Sequence, residues 1–165
     1  MNAESEVTLS HLTPLGEARM VDVSAKTATL RVAVASGRLR ARPEVLDALM
    51  AGNLPKGEAL GTARVAGILA AKRTDEWIPL CHPLPLDWAQ ISFARERADT
   101  LLIVATVKTS ARTGVEMEAL TAVSCAALTL YDMAKAADKS IVIGPIQLEH
   151  KSGGRSGEYN RPDAN

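Results

Sequence analysis

Acidic and basic side chains that could carry chemistry occur on two predicted helices of this 165-residue sequence. Asp132 and Lys135 are three residues apart on one helix and therefore share a face. A solvated ion pair and a functional pair are equally good interpretations of that spacing. Lys56 follows Pro55 at the predicted start of another helix, where the helix dipole favours an anion. A lysine there is solvated or meets an anionic ligand, and solvation is favoured about two to one.

Two basic segments are candidate phosphate-binding sites. Residues 108–114 lead into a predicted helix, whose free backbone N–H groups favour an anion, although a capping box would occupy some of these donors. Residues 151–157 combine Lys151 and Arg155 with three glycines, but they lack the residue order and the strand-to-helix context of a P-loop. Simple disorder is an equally good interpretation of this glycine-rich tail.

Histidines and cysteines show no metal-binding spacing. His82 lies in a loop with three prolines and could bind a ligand or transfer a proton, although an isolated loop histidine is more often a surface residue. Cys81 and Cys125 form no CxxC motif, so we expect small apolar side chains or inert thiols. The sequence therefore predicts neither a metal nor another cofactor.

The charge balance bears on the kinds of partner that the protein can bind. Nineteen Lys and Arg offset nineteen Asp and Glu, which disfavours a nucleic-acid or membrane-surface binder but allows a local basic pocket. The five aromatic residues are too few for a base-stacking platform. The first ten residues lack the features of a signal peptide, and no run of about 18 apolar residues occurs. We therefore expect a cytoplasmic protein without membrane segments.

The amino-terminal half predicts one strand and two helices. Alternation from Thr29 predicts a strand with Leu30, Val32 and Val34 on its apolar side, which ends at residues 36–37 or continues past a bulge there. A first helix is predicted to begin at the proline at position 43 and to end before the glycine at position 52. A second helix is predicted over residues 56–74, with a packing face of small side chains at Ala59, Ala63, Gly67 and Ala70.

The remaining elements follow a proline-rich loop at residues 79–85. Two strands, at residues 89–93 and 101–109, are separated by a short polar connection that predicts a hairpin. Thr113 and Glu116 match a capping box, so a long helix is predicted from Thr113 to about residue 138. A final strand, interrupted by Gly-Pro, is predicted over residues 141–148.

This element order predicts an α+β fold. Strand, helices, strand, strand, helix and strand follow one another in the split βαβ order. We therefore expect a ferredoxin-like antiparallel sheet with helices packed on one face. Residues 1–165 are predicted to form one domain, with flexible ends at 1–19 and 159–165. The fold alone does not decide the function.

Eight motifs, taken in order, resemble the cyclic pyranopterin monophosphate synthases, the C proteins of molybdenum cofactor biosynthesis. Each motif alone is weak, but the ordered set is specific and runs from about Met20 to Glu158. The motifs are MVDVSAK at 20–26, KGE at 56–58, ARVAGI at 63–68, AKRT at 71–74, IPLCHPL at 78–84, TGVEMEALT at 113–121, YDM at 131–133 and KSGG at 151–154.

This resemblance implies an enzyme that converts (8S)-3',8-cyclo-7,8-dihydroguanosine 5'-triphosphate to cyclic pyranopterin monophosphate. The family rebuilds the purine-derived ring, forms a cyclic phosphate and releases diphosphate. It also implies a ferredoxin-like fold and homohexamers, trimers of dimers, with active sites at subunit interfaces. A non-catalytic nucleotide-sensing domain of the same fold is the alternative, and a pure oligomerisation scaffold would leave the charged motif residues unexplained.

The same resemblance assigns the site residues. The implied catalytic residues are Lys56, Asp132 and Lys135. The implied substrate-contacting residues are Leu80, Cys81, His82, Met117 and Glu118. Further polar positions of the pocket match Asp22, Lys26, Lys72 and Lys151. The sequence departs from the family pattern at two positions. Glu58 stands in place of an aspartate, and His150 precedes the glycine motif. Neither belongs to the residues proposed for chemistry.

The chemistry of ring rebuilding needs groups that transfer protons at neutral pH. Because a close carboxylate favours the charged form of an amine, we expect Asp132 to keep Lys135 charged, which leaves Lys56 as the better candidate for a neutral amine. A triphosphate carries about four negative charges at pH 7, which Lys72, Lys151 and Arg155 could neutralise.

Helix geometry adds one further prediction. Glu118 and Asp132 are fourteen residues apart, which separates them by roughly 21 Å along a helix. A compact ring cannot touch both residues from one chain. Either the substrate lies along the helix or a neighbouring chain completes each pocket. We predict the shared pocket.

Overall fold

The computed structural model of the protein describes residues 15–162. It contains five strands and four helices within this range. In chain order these are β1 Thr29–Arg40, α1 Pro43–Ala51, α2 Ala59–Ala71, α3 Thr74–Trp77, β2 Trp88–Arg97, β3 Thr100–Ala111, α4 Glu116–Ala134, β4 Val142–Ser152 and β5 Tyr159–Asn160.

The strands form one sheet in the order β2-β3-β1-β4-β5, and every neighbouring pair is antiparallel. α4 packs on the three central strands, α2 packs on β2, and the two helices also pack on each other. This arrangement confirms the predicted α+β, ferredoxin-like fold. The one-turn helix α3 and the two-residue strand β5 were not predicted, and β1 continues past Ser36 and Gly37 with shifts in its pairing to β4.

The buried side of β1 differs from the prediction. Ala33, Ala35 and Leu39 are fully buried, whereas Leu30 is 60% exposed and Val32 and Val34 are only half-buried. The larger apolar side chains therefore lie on the sheet face opposite α4. The reason is the closeness of the helix, because only small side chains fit under it for most of the strand.

Two glycines show how close this packing is. A Cβ added to Gly37 of β1 would lie 2.5 Å from Val123 Cγ1 of α4. A Cβ added to Gly67 of α2 would lie 2.7 Å from the Ala122 carbonyl oxygen. The predicted small-residue face of α2 is confirmed, since Ala59, Ala63, Gly67 and Ala70 are all buried.

The first predicted helix start, at Pro43, is confirmed, whereas the other two are three residues too early. α2 begins at Ala59, because Glu58 is the N-cap and its carboxylate accepts a hydrogen bond from the Gly61 N–H at 2.6 Å. Lys56 therefore lies in the preceding turn and does not open the helix. α4 begins at Glu116 without a side-chain cap, so the predicted capping box from Thr113 does not form.

Strand β4 reaches further than predicted. It passes through the cis Gly144-Pro145 peptide and continues to Ser152, so Lys151 belongs to the sheet and not to a polar tail. Tyr159 and Asn160 form β5, while residues 1–14 and 163–165, the outer parts of the ends predicted to be flexible, lie outside the described residues. None of the helices described here is long and apolar enough to cross a membrane.

Candidate active site

A basic cleft of about 570 Å³ opens where β1 begins and β3 and β4 end. Within the described residues, five cationic side chains and one carboxylate line it. They are Lys26, Arg31, Arg112, Lys151, Arg155 and Glu116. The excess of positive charge and the flanking glycine-rich backbone make this cleft suited to a polyanion. Of the two candidate phosphate-binding segments, the second lines the cleft with residues 151–156, and the first contributes only residues 112–114.

Arg31 forms the floor of the basic cleft. Its side chain is only 8% exposed, and three of its N–H groups donate to the carbonyl oxygens of Ala111, Arg112 and Gly153 at 3.2–3.3 Å. These contacts join the end of β3 to the turn after β4. Arg31 therefore brings positive charge to the cleft and holds both of its walls.

Lys151 lines the same cleft from β4, where it pairs with Ala33 of β1. Its amine is 3.5 Å from the carboxylate of Glu116 and donates a 2.8 Å hydrogen bond to the Ser156 hydroxyl. Gly153 and Gly154, which follow the strand, have φ values of +95° and +79°. This conformation is strained for other residues, so the glycines allow the chain to turn over the Arg31 guanidinium.

A second cleft of about 400 Å³, the loop cleft, adjoins the first. The proline-rich loop supplies Leu80, Cys81 and His82, and the first turn of α4 supplies Met117 and Glu118. The structure therefore brings together all five residues that the family resemblance assigns to substrate contact. The two clefts share the lining residues Lys26, Thr113, Gly114 and Glu116.

Glu118 is the buried acid of the loop cleft. It is 3% exposed, and burial raises its pKa from an ordinary 4.5 to about 7, with the carboxylates of Glu116 and Asp75 acting in the same direction. Burial also raises the pKa of the Cys81 thiol, as do Glu118 and Asp75. Near neutral pH, Glu118 can therefore give or take a proton, while Cys81 stays a thiol and a poor nucleophile.

His82 is oriented by the chain segment before β1. Its Nε2 lies 2.8 Å from the Val21 carbonyl oxygen. Because a carbonyl only accepts, Nε2 carries the proton in this contact. A neutral His82 then leaves Nδ1 as an acceptor for a ligand.

The three predicted catalytic residues form a separate cluster at the carboxyl end of α4. The Asp132 carboxylate lies 2.6 Å from Lys56 Nζ and 2.7 Å from Lys135 Nζ. Hydrogen bonds from Lys135 and then Lys56 lower the pKa of Asp132 to about 2, and Asp132 raises the pKa of Lys135. The expectation that Asp132 favours the charged form of Lys135 is confirmed, and the Asp132 carboxylate also contacts Lys56 at nearly the same distance.

This cluster, the lysine–aspartate cluster, does not meet the two clefts within one chain. Glu118 and Asp132 belong to the first and last turns of the same helix, about 21 Å apart along its axis. Lys72, the exposed C-cap of α2, and Asp22, which accepts a 2.8 Å hydrogen bond from the Ser24 N–H, line neither cleft in the described chain.

Sequence reasoning missed Arg31. Arg31 lies in the same row of β1 as Ala33 and Ala35. The sequence pattern favoured a solvent-facing position for that row, because the larger apolar side chains lie in the other row. An arginine in a row of otherwise small side chains is the sequence feature that points to a buried functional arginine. Residues 15–162 contain no group of three or more His, Cys, Asp or Glu side chains placed to hold a metal ion.

The chain is similar to known proteins over most of its length. Residues 20–154 match the MoaC family. The cyclic pyranopterin monophosphate synthase 3 of Mycobacterium tuberculosis (strain ATCC 25618 / H37Rv) is 57% identical over 156 residues, covering 94% of this chain and 88% of the relative. The cyclic pyranopterin monophosphate synthase of Roseiflexus sp. (strain RS-1) is 59% identical over 152 residues, covering 92% and 96%. That of Brevibacillus brevis (strain 47 / JCM 6285 / NBRC 100599) is 55% identical over 153 residues, covering 93% and 96%.

Proposed function

The chain belongs to the MoaC family, and on that premise we propose that it is a cyclic pyranopterin monophosphate synthase of molybdenum cofactor biosynthesis. It converts (8S)-3',8-cyclo-7,8-dihydroguanosine 5'-triphosphate to cyclic pyranopterin monophosphate and diphosphate, as a cytoplasmic homohexamer. The observation that carries the proposal is the junction of a basic cleft with the loop cleft, which supports a polyanion site beside a site for a ring.

The basic cleft is the triphosphate site of this proposal. The ligand carries about four negative charges at pH 7, and the cleft offers five cationic side chains against one carboxylate among the described residues. Lys151 is already held by Glu116 and Ser156 near the cleft. A phosphate that replaces these partners gains a charge-assisted hydrogen bond without a large movement of the lysine.

The loop cleft receives the ring system. Glu118 has a pKa of about 7 and therefore exists in both protonation states near neutral pH, which suits repeated proton transfers to ring nitrogens and oxygens. His82 offers an acceptor nitrogen beside it. The Cys81 thiol contacts the ring in this proposal. Because the thiol stays protonated, it forms no covalent intermediate.

The lysine–aspartate cluster supplies the other reactive groups. Asp132, with a pKa of about 2, stays ionised at neutral pH and keeps two amines next to one another. Such ammonium groups stabilise negative charge that develops on an oxygen and can donate a proton to it. Asp132 therefore positions the two lysines and offsets one of their two positive charges.

A neighbouring chain completes each site in this proposal. The support is the separation of about 21 Å along α4 between Glu118 and Asp132, which is too long for one reacting ring. Closed symmetric assemblies let a patch on one copy face a different patch on the next. The lysine–aspartate cluster of one chain would then face the loop cleft of another.

Turnover of the cyclised nucleotide tests the activity. The purified protein should release diphosphate and a pterin product in equal amounts. Lys56→Ala should abolish both products while still binding the nucleotide. Nucleotide binding without products from the parent protein would support the sensing-domain alternative instead.

Mixed oligomers test the shared site. Glu118→Ala and Asp132→Ala, each inactive alone, are unfolded together in equal amounts and refolded. With random mixing, about one pocket in four receives both native residues from different chains, so about a quarter of the parent activity should return. Glu118→Ala mixed with His82→Ala is the matched control. Both changes affect the same cleft of one chain, so every pocket keeps a defect and no activity should return. Absence of recovery in the first mixture, despite proven subunit exchange, would place Glu118 and Asp132 in one pocket from the same chain.

A further inference from the structure

An arginine-lined cleft of about 600 Å³ lies away from the candidate active site. Arg38 and Arg40 line it from the end of β1, where they alternate with the fully buried Leu39 and so point to the sheet face opposite α4. Arg31 lines the basic cleft from the other face of the same strand. Nine residues of extended chain separate Arg31 from Arg40, which is about 30 Å. The two clefts are therefore distinct.

Strand register brings two of its arginines into one row. Thr100 of β3 pairs with Arg40 of β1 on one side and with Arg97 of β2 on the other. Adjacent strands lie about 4.8 Å apart, so the Cα atoms of Arg40 and Arg97 are separated by roughly 10 Å. All three residues line the cleft. Two long side chains that flank a small residue at this spacing can converge on one ligand.

The carboxylates of this cleft are already engaged. Glu96 accepts hydrogen bonds of 2.8 and 2.7 Å from the Arg38 guanidinium, which lowers the Glu96 pKa. Glu149 accepts hydrogen bonds from the Ser36 hydroxyl and, at 2.9 Å, from the Gln147 amide, and it lies 3.7 Å from Arg161. Both glutamates thus have protein partners in the folded chain.

Two guanidinium groups of the described lining are not held in this way, although the charge of Arg97 also acts on the neighbouring Glu96. Within residues 15–162, no hydrogen bond or ion pair holds the side chain of Arg40 or Arg97. Four arginines stand against two glutamates in the described lining, which leaves two positive charges in excess. Neighbouring like charges destabilise each other unless a counter-ion lies between them, and the planar guanidinium matches phosphate oxygens in a bidentate manner.

We propose that this cleft is a second anion site, which binds a ligand with two linked phosphate groups between Arg40 and Arg97. The row of two unpaired arginines on either side of Thr100 fits two phosphates better than one, because each phosphate then meets its own guanidinium. A nucleic acid would need a longer basic surface, whereas the chain as a whole carries no net charge. The proposal does not depend on the proposed catalytic function.

Calorimetric titration of the full-length protein with inorganic diphosphate tests the site. The parent protein should show a binding component that Arg40→Gln, Arg97→Gln and their double variant weaken by about tenfold or more per arginine, as expected for lost charge-assisted hydrogen bonds. Arg40→Lys and Arg97→Lys should weaken it less, since charge remains but the bidentate geometry is lost. Inorganic phosphate should bind at least tenfold more weakly than diphosphate.

Two controls separate this site from others. Lys151→Ala, in the basic cleft, should leave the component unchanged, and so should Arg73→Gln, which removes an exposed arginine from the helical side. Sedimentation of the double variant should match that of the parent. Unchanged diphosphate binding in the double variant would overturn the proposal. So would loss of the component in Lys151→Ala, or an altered oligomeric state of the double variant, which would make the cleft a subunit contact.

Discussion

The guanidinium of Arg31 occupies the space into which a side chain on Gly154 would extend. A Cβ added at Gly154 would lie 1.8 Å from Nη1 of Arg31. This pair joins the first strand of the sheet to the turn after the fourth, at the floor of the basic cleft. The glycine-rich motif is therefore explained by the arginine beneath it as well as by its own backbone conformation.

Gly154→Ala tests this relationship. The substitution should displace Arg31 or the turn and raise KM for the nucleotide by about tenfold or more, as expected for a disturbed charge-assisted contact. Gly157→Ala is the matched control, because Gly157 also has a positive φ, +67°, but an added Cβ would meet nothing within 4 Å. Both variants carry the backbone strain of about 1–2 kcal/mol. Equal KM values in the two variants would show that the Arg31 contact has no effect.

Removal of the Asp132 carboxylate should reduce turnover without unfolding the protein. Lys56→Ala and Lys135→Ala are each expected to lower kcat by about 10²–10⁴-fold, as for loss of a proton donor, and Asp132→Ala should have a similar effect because Asp132 positions both lysines. Their thermal stability should change little, since the three side chains are about half-exposed and such ion pairs contribute about 0–1 kcal/mol. Asp47→Ala removes the exposed 2.8 Å pair with Arg95 and should leave kcat unchanged. Parent-like turnover in Lys56→Ala would exclude its catalytic role.

Glu118 should make stability depend on pH. Between the ordinary pKa of 4.5 and about 7, the unfolded chain has released this proton while the folded chain retains it. Stability therefore falls as pH rises through that window, by on the order of 2 kcal/mol from pH 5 to pH 7. Urea unfolding at the two pH values measures the fall. Glu118→Gln should remove it, whereas Glu76→Gln, at an exposed carboxyl of α3, should retain it. If the free energy of unfolding falls equally in Glu118→Gln, a group other than Glu118 causes the fall.

Lys151 should act on substrate affinity. Lys151→Ala removes one cation of the basic cleft, so KM should rise by about 10–100-fold with a smaller change in kcat. Added salt should weaken binding to the parent more than to the variant. Lys139→Ala, at an exposed lysine, is the control for a lost charge. Lys72 lines neither cleft of its own chain, so Lys72→Ala tests whether Lys72 contacts substrate in an assembly. An unchanged KM would show that Lys72 is only a solvated surface residue.

Local sequence patterns predicted the elements well. The structure places α1 between Pro43 and Gly52, as predicted, and strands where apolar and polar residues alternate. These signals are reliable because they depend on the conformation of neighbouring residues. The motif residues of the proline-rich loop and of the first turn of α4 also come together in one cleft. Local signals were less reliable at the starts of α2 and α4, because Glu58 caps α2 and the capping box at Thr113 does not form.

By itself, then, the sequence determined the family, the order of the main elements apart from α3 and β5, and the fold class, because periodicity, turn residues and ordered motifs are properties of neighbouring residues. Tertiary structure alone decided which row of β1 is buried, since that depends on how closely α4 packs. It also decided contacts between distant residues. Lys56 meets Asp132 across 76 positions, and Arg31 meets Gly153 across 122. Such contacts arise from strand register and helix packing, which no local pattern encodes.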